Sequence, residues 1–115
     1  MVVDDDEEIR DVLKHLLRSE GYEVADASNG REAISRLRES GDPCLILLDL
    51  MMPVMSGWEF RREQRRDPDL ASIPVVVISA VGNAREKAAA LEAEAYLDKP
   101  IDFDELMETV TRHCG

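Results

Sequence analysis

The chain has 115 residues, 44% of them hydrophobic, with 25 acidic against 14 basic side chains and a net charge of −11. That length supports one domain with one core, and the apolar fraction is ordinary for a globular protein, which excludes a disordered chain. The acidic balance argues against sequence-independent binding to DNA or RNA, and no apolar stretch approaches the roughly 20 residues that span a bilayer.

The apolar pattern alternates between strand-like runs and helix-like spacing. Met1–Val3 reads as a short strand that runs into Asp4, Asp5 and Asp6. Ile9, Val12, Leu13, Leu16 and Leu17 recur on one helical face, which ends at Ser19-Glu20-Gly21. Tyr22–Ala27 alternates as a second strand, and Asn29-Gly30 marks a turn. Ala33, Ile34 and Leu37 line a second helix, stopped by Gly41-Asp42-Pro43. Cys44–Leu48 is a wholly apolar third strand that delivers Asp49. Gly57–Arg66 reads as a third helix, broken at Asp67-Pro68; its apolar face is thin because Arg61 and Gln64 stand where Leu is expected. Ile73–Ile78 is a β-branched fourth strand, Ala84–Ala93 an alanine-rich helix and Ala95–Leu97 a short strand. Phe103, Leu106, Met107 and Val110 line a last helix. Strands alternating with helices imply right-handed crossovers and a parallel α/β sheet covered on both faces. With no long linker or repeat, residues 1–115 are expected to form a single domain.

Cys44 and Cys114 lack metal-ligand spacing. Cys44 is expected to be a small core hydrophobe and Cys114 a free thiol near the terminus, without a disulfide framework. That suits a reducing compartment, and with no signal peptide before the first strand the expected location is cytoplasmic. Arg61, Arg62, Arg65 and Arg66 form a basic cluster, read first as a solvated helix face and second as a docking patch. His15 and His113 are read as surface residues.

In an open doubly wound sheet, sites form outside the carboxyl ends of the strands. That edge would collect Asp4, Asp5 and Asp6 from the first strand, Asp49 from the third, Ser79 and small Ala80 from the fourth, and Lys99-Pro100 from the fifth. Two carboxylates ~5 Å apart repel by ~3 kcal/mol at an effective dielectric of ~20. Either one acid is protonated or a divalent cation compensates them. Hard oxygen ligands without His or Cys favour Mg²⁺, with Asp5 and Asp49 as its ligands. Lys99 and Ser79 could hold phosphate oxygens, and an ionised Asp49 is a competent nucleophile, so the set suits phosphoryl transfer.

The joint pattern resembles a receiver domain of a two-component response regulator. The resemblance rests on Val2-Val3-Asp4-Asp5-Asp6, Asp49-Leu50-Met51-Met52-Pro53-Val54-Met55-Ser56-Gly57, Pro74 through Ala80, and Tyr96-Leu97-Asp98-Lys99-Pro100. It covers essentially the whole chain. It implies a flavodoxin-like (βα)5 doubly wound parallel sheet in the order 2-1-3-4-5. By that resemblance Asp49 accepts a phosphoryl group from a sensor histidine kinase or phosphotransfer protein. Asp4, Asp5, Asp49 and the Met51 backbone carbonyl would hold Mg²⁺, with Asp4 acting more through water. Ser79 and Lys99 would contact the phosphoryl group, and the Lys99-Pro100 bond would be cis. Ser79 and Tyr96 would form the switch. The output would be a shift of the face around the fourth helix, fifth strand and last helix, toward a downstream effector or a second copy of the domain. Such a module acts on no separate substrate and contacts neither nucleic acid nor membrane directly. Met51 and Val81 hold the two positions that tune the lifetime of the aspartyl phosphate in that family. The alternatives are an aspartate-nucleophile (HAD-like) phosphatase using the Asp-x-Asp spacing of Asp4 and Asp6, and a degenerate receiver acting as a scaffold.

Overall fold

The computed structural model describes residues 1–80 and 84–115. Five strands and five helices alternate: β1 (Val2–Val3), α1 (Glu7–Ser19), β2 (Asp26–Ala27), α2 (Gly30–Ser40), β3 (Ile46–Asp49), α3 (Gly57–Arg66), β4 (Val75–Ser79), α4 (Ala84–Ala90), β5 (Ala95–Asp98) and α5 (Phe103–Cys114). The strands form one parallel sheet in the order β2-β1-β3-β4-β5, as the resemblance implies.

The period-two geometry of the strands divides the core. Val3, Ile46, Leu48 and Val75 face Ala33, Ile34, Leu37 and Phe60 of α2 and α3. Val2, Leu47, Val76 and Ile78 face Leu13 and Leu17 of α1 and Leu106 and Val110 of α5. Burial on both faces explains why β3 and β4 read as continuous apolar runs rather than alternating ones.

Caps set the helix starts. Asp6 accepts hydrogen bonds from the backbone N–H groups of Glu8 and Ile9. Asn29, read above as part of a turn, caps α2 by accepting from the Glu32 N–H at 2.9 Å. Ser56 and Glu59 form a reciprocal capping box at α3. Gly57 opens that helix where backbone runs against backbone: a Cβ there would sit 2.5 Å from the Asp49 carbonyl oxygen and 2.7 Å from Leu50 Cα. Its N–H donates to the Leu50 carbonyl at 3.0 Å. The missing side chain of Gly57 thus sets how closely α3 approaches the end of β3.

Three expectations need correction. Tyr22–Ala27 is strand only at Asp26–Ala27. Arg61 and Gln64 do not thin α3's inner face but are buried there, as a bonded network. Gln64 Nε2 donates to the carbonyls of Leu70 and Ile73, and Arg61 donates to those of Leu91 and Glu92. These polar side chains give loop carbonyls hydrogen bonds that leucine could not supply. Finally, Cys44 and Cys114 are neither core hydrophobe nor free thiol. They form a disulfide with a Cα separation of 5.4 Å, and Cys44 is exposed ahead of β3. The pairing was illegible because 70 residues separate the two cysteines and only the packing of α5 beside β3 brings them together. Among the described residues, no helix is long and apolar enough to cross a membrane.

Two outcomes follow from this packing. Closing a loop of that length restricts the unfolded chain, so reduction, or Cys114→Ser, should cost about 2–4 kcal/mol in urea unfolding; an unchanged midpoint would mean the pair staples nothing. Gly57→Ala should lower stability by roughly 1–3 kcal/mol, because the clash is with backbone. An equivalent Ser56→Gly control should lose only a few tenths.

Candidate acidic site at the strand ends

The carboxyl ends of β1, β3 and β4, with the residue after β5, meet at one rim. Backbone pairing holds each in place. The Asp4 N–H donates to the Ala27 carbonyl at 3.1 Å, continuing the β1–β2 ladder by one residue. Asp49 is registered against Ile78, and Ser79 against Asp98. The Lys99 N–H donates to the Ser79 carbonyl at 3.0 Å, which brings the lysine to the end of β4. The Lys99-Pro100 peptide bond is cis, as expected.

Asp4, Asp5 and Asp49 each offer an oxygen within 4.8 Å of the others. Asp4 is 0% and Asp49 5% exposed, whereas Asp5 faces solvent. Lys99 Nζ lies 2.9 Å from Asp4 Oδ2 and 3.7 Å from Asp49 Oδ2. Asp4 Oδ1 accepts from the Asp6 N–H at 2.9 Å. Its Oδ2 has only the ionic contact, with no well-directed hydrogen bond. Asp49 Oδ1 accepts from the Met51 N–H at a long 3.4 Å.

Burial pushes the Asp49 carboxyl up, and repulsion from Asp4 adds to it; the nearby Lys99 charge opposes them, and the result is a pKa of about 6. For Lys99, burial pulls the other way, but the carboxylates of Asp4, Asp49 and Asp5 outweigh it and raise its pKa. Three carboxylates facing one ammonium leave an excess of negative charge. An all-oxygen donor set, a buried oxygen short of hydrogen bonds and that excess together fit a hard divalent cation such as Mg²⁺.

The other candidate residues fall around this centre. Ser79 is buried at the end of β4. Met51 sits on the rim, 64% exposed. Tyr96 lies outside the acidic centre, 39% exposed, lining a surface groove between β5 and α5 with Glu105, Glu108 and Arg112. Val81 lies outside the described residues. Asp6 is not part of the acidic trio: its carboxylate is spent on the α1 amides, which removes the Asp-x-Asp pair that the phosphatase alternative needs.

Two supports were not anticipated. Arg10 donates to the Asp4 carbonyl at 2.9 Å and pairs with Asp26, which also pairs with Lys14. Burial alone would raise Asp26, but the hydrogen bonds and charges of Lys14 and Arg10 hold it below the usual carboxylate range. Arg10 and Lys14 are one turn apart on α1, a visible spacing, but their partner on β2 was not. Gly57 is the second, and its place directly after a capping serine was the available signal. The loop between β3 and α3 also carries strain: Val54, β-branched, sits at φ 65°.

Residues 1–111 match the family described as Response regulator receiver domain. The chain is 38% identical over 96% of its length to a transcriptional regulatory protein CpxR homolog of Haemophilus influenzae, and spans 47% of that protein. It is 33% identical over its whole length to the polar-differentiation response regulator DivK of Brucella anthropi, covering 94% of it. Among solved structures, response regulator TrrA of Thermotoga maritima in complex with Mg²⁺-BeF is 37% identical, with a TM-score of 0.82 over 96% of this chain and 94% of that one. The chain thus spans about half of one relative and nearly all of two others. Its sheet order, its strand-end acids and lysine, and these likenesses agree: the chain belongs to the response regulator receiver domains, the signalling modules of two-component systems.

Proposed function

We propose that residues 1–115 act as one phosphoacceptor domain, taking a phosphoryl group on Asp49 from a sensor histidine kinase or phosphotransfer protein. The observation that carries this reading is Lys99 Nζ held between Asp4 and Asp49 at one strand-end rim. A carboxylate oxygen of Asp49 attacks phosphorus, the P–N bond of the phosphohistidine breaks, and the leaving imidazole keeps the bonding pair and takes a proton. With a pKa of about 6, Asp49 is largely ionised at neutral pH, as a nucleophile must be. Lys99 would share charge with the phosphoryl oxygens and Ser79 would donate its hydroxyl to one of them. Mg²⁺ would be held by Asp5, Asp49 and the Met51 backbone carbonyl, with Asp4 through water, and would supply charge neutralisation.

The domain catalyses nothing beyond its own phosphorylation and dephosphorylation. Drawing Ser79 toward the phosphoryl group leaves room for Tyr96 to turn inward, which biases a two-state equilibrium of the α4-β5-α5 face. That face would meet a downstream effector or a second copy of the domain, without direct contact to nucleic acid or membrane. The cytoplasm is the compartment we assign, and thiol buffers there would act on the Cys44–Cys114 pair.

Incubation with acetyl phosphate and Mg²⁺, read by intact mass, should add one phosphoryl group to the wild type and none to Asp49→Asn. Lys99→Ala should slow the gain by roughly 10²-fold. Equal gain by Asp49→Asn, or none by wild type, would sink the proposal.

The electrostatics give a second test. A carboxyl raised from 3.8 to about 6 binds more protons folded than unfolded between those values. Stability in metal-free buffer therefore falls as pH rises through that window and levels off above it. A shift of roughly two units corresponds to roughly 3 kcal/mol at most. Asp49→Asn should accordingly gain ~1–3 kcal/mol over wild type near neutral pH without metal, and the gain should vanish below about pH 4. Chemical denaturation showing the Asp49→Asn variant less stable than wild type at neutral pH would refute this account.

A further inference from the structure

Helix α3 sorts its charges by face. At 100° per residue, Trp58, Arg61, Arg62 and Arg65 fall within about 100° of arc and Arg66 about 40° beyond it, with Glu59 and Glu63 farther round the helix. The basic side faces α4. Trp58 and the four arginines, with Ala90 and Leu91, line a groove of about 460 Å³.

The four arginines have different duties. Arg61 is buried, and its three nitrogens donate to Leu91, Glu92 and Gln64 at 2.8–2.9 Å, so it ties α3 to the end of α4 and forms the groove wall. Arg65 pairs with Glu92 at 2.9 Å. Arg62 and Arg66 are exposed and, among the described residues, make no ion pair or side-chain hydrogen bond. With Trp58 they form a stripe at i, i+4 and i+8: two uncommitted guanidinium groups beside a half-buried indole.

We infer that this groove docks a short acidic peptide segment of a partner protein, with carboxylates on Arg62 and Arg66 and an apolar side chain against Trp58, Ala90 and Leu91. Guanidinium forks match carboxylates bidentately, and indole supplies contact area at low entropic cost. Charge complementarity also limits the partner's shape. The chain carries −11 overall, so an extended polyanion such as duplex DNA or an anionic membrane would overrun the groove and meet acidic surface. A segment of a few residues meets only the groove. This assignment is independent of what Asp49 does.

Trp58 is the sole tryptophan, so its emission reports the groove directly. The probe is a synthetic peptide of about a dozen residues built from Glu, Asp, Leu and Phe, with a control carrying Lys for each acid. Wild type should show a saturable Trp58 shift with the acidic peptide only. Arg62→Gln/Arg66→Gln should weaken binding at least about tenfold while leaving the thermal melt and Asp49 phosphorylation unchanged, and added salt should weaken it in wild type. No saturable shift, equal binding of the Lys control, or undiminished binding by the double variant overturns the inference. So does an equal response to duplex DNA or anionic vesicles, or a self-association in sedimentation that the double variant abolishes, which would make a second copy the occupant.

Discussion

The ammonium of Lys99 against the carboxylates of Asp4 and Asp49 is the contact on which the site depends. An ionised carboxylate with no exposure is costly unless paired, and Asp4 has none. Lys99 compensates it at 2.9 Å while reaching Asp49 at 3.7 Å. The three residues follow or end different strands, so the pairing exists only if β1, β3 and β5 deliver their ends to the same edge. A parallel sheet does this; an antiparallel one would send alternate ends to opposite edges. The compensation is incomplete, one cation for three acids: burial raises Asp49, the uncompensated repulsion adds to it, and the surplus suits a divalent cation.

What surrounds that contact mostly holds backbone in place. Arg10 grips the Asp4 carbonyl and is itself held by Asp26. Asp6 anchors α1 through its cap, so consecutive acids serve a buried pair, an exposed member of the acidic trio and a helix start. Gly57 lets α3 close on the end of β3. On the far side of α3, Arg61 and Gln64 replace apolar packing with bonds to loop carbonyls, which fixes the groove between α3 and α4. Polar burial is stable there because the Arg61 and Gln64 nitrogens find acceptors.

Strong periodicity made most elements legible. Gly57–Arg66 is a helix over the span its pattern suggests, and the β-branched run ahead of Ser79 is a strand. The pattern failed where a segment's state depends on a neighbour rather than on itself. Tyr22 to Ala25 alternate like a strand, yet pairing with the two-residue β1 can extend only as far as β1 reaches. Val12 sits on the apolar stripe of α1 but is 56% exposed, because it lines an open groove with Ile101 and Phe103 rather than packing under a neighbour.

The chain order of its apolar runs, and the residue types at their ends, determined the fold class and named the acids, hydroxyl and amine of the rim. That information is local: strand, turn and strand-end residue are neighbours in sequence. Tertiary structure alone decided the rest. Which of three adjacent aspartates faces the pocket, that Cys44 meets Cys114, that Arg10 finds Asp26, and that two of four arginines are used up while two stay unpaired among the described residues are all matters of distance across the fold. Long-range pairing leaves no fixed spacing in the chain, because the intervening helices and loops set the separation and their lengths carry no record of which side chains they bring together.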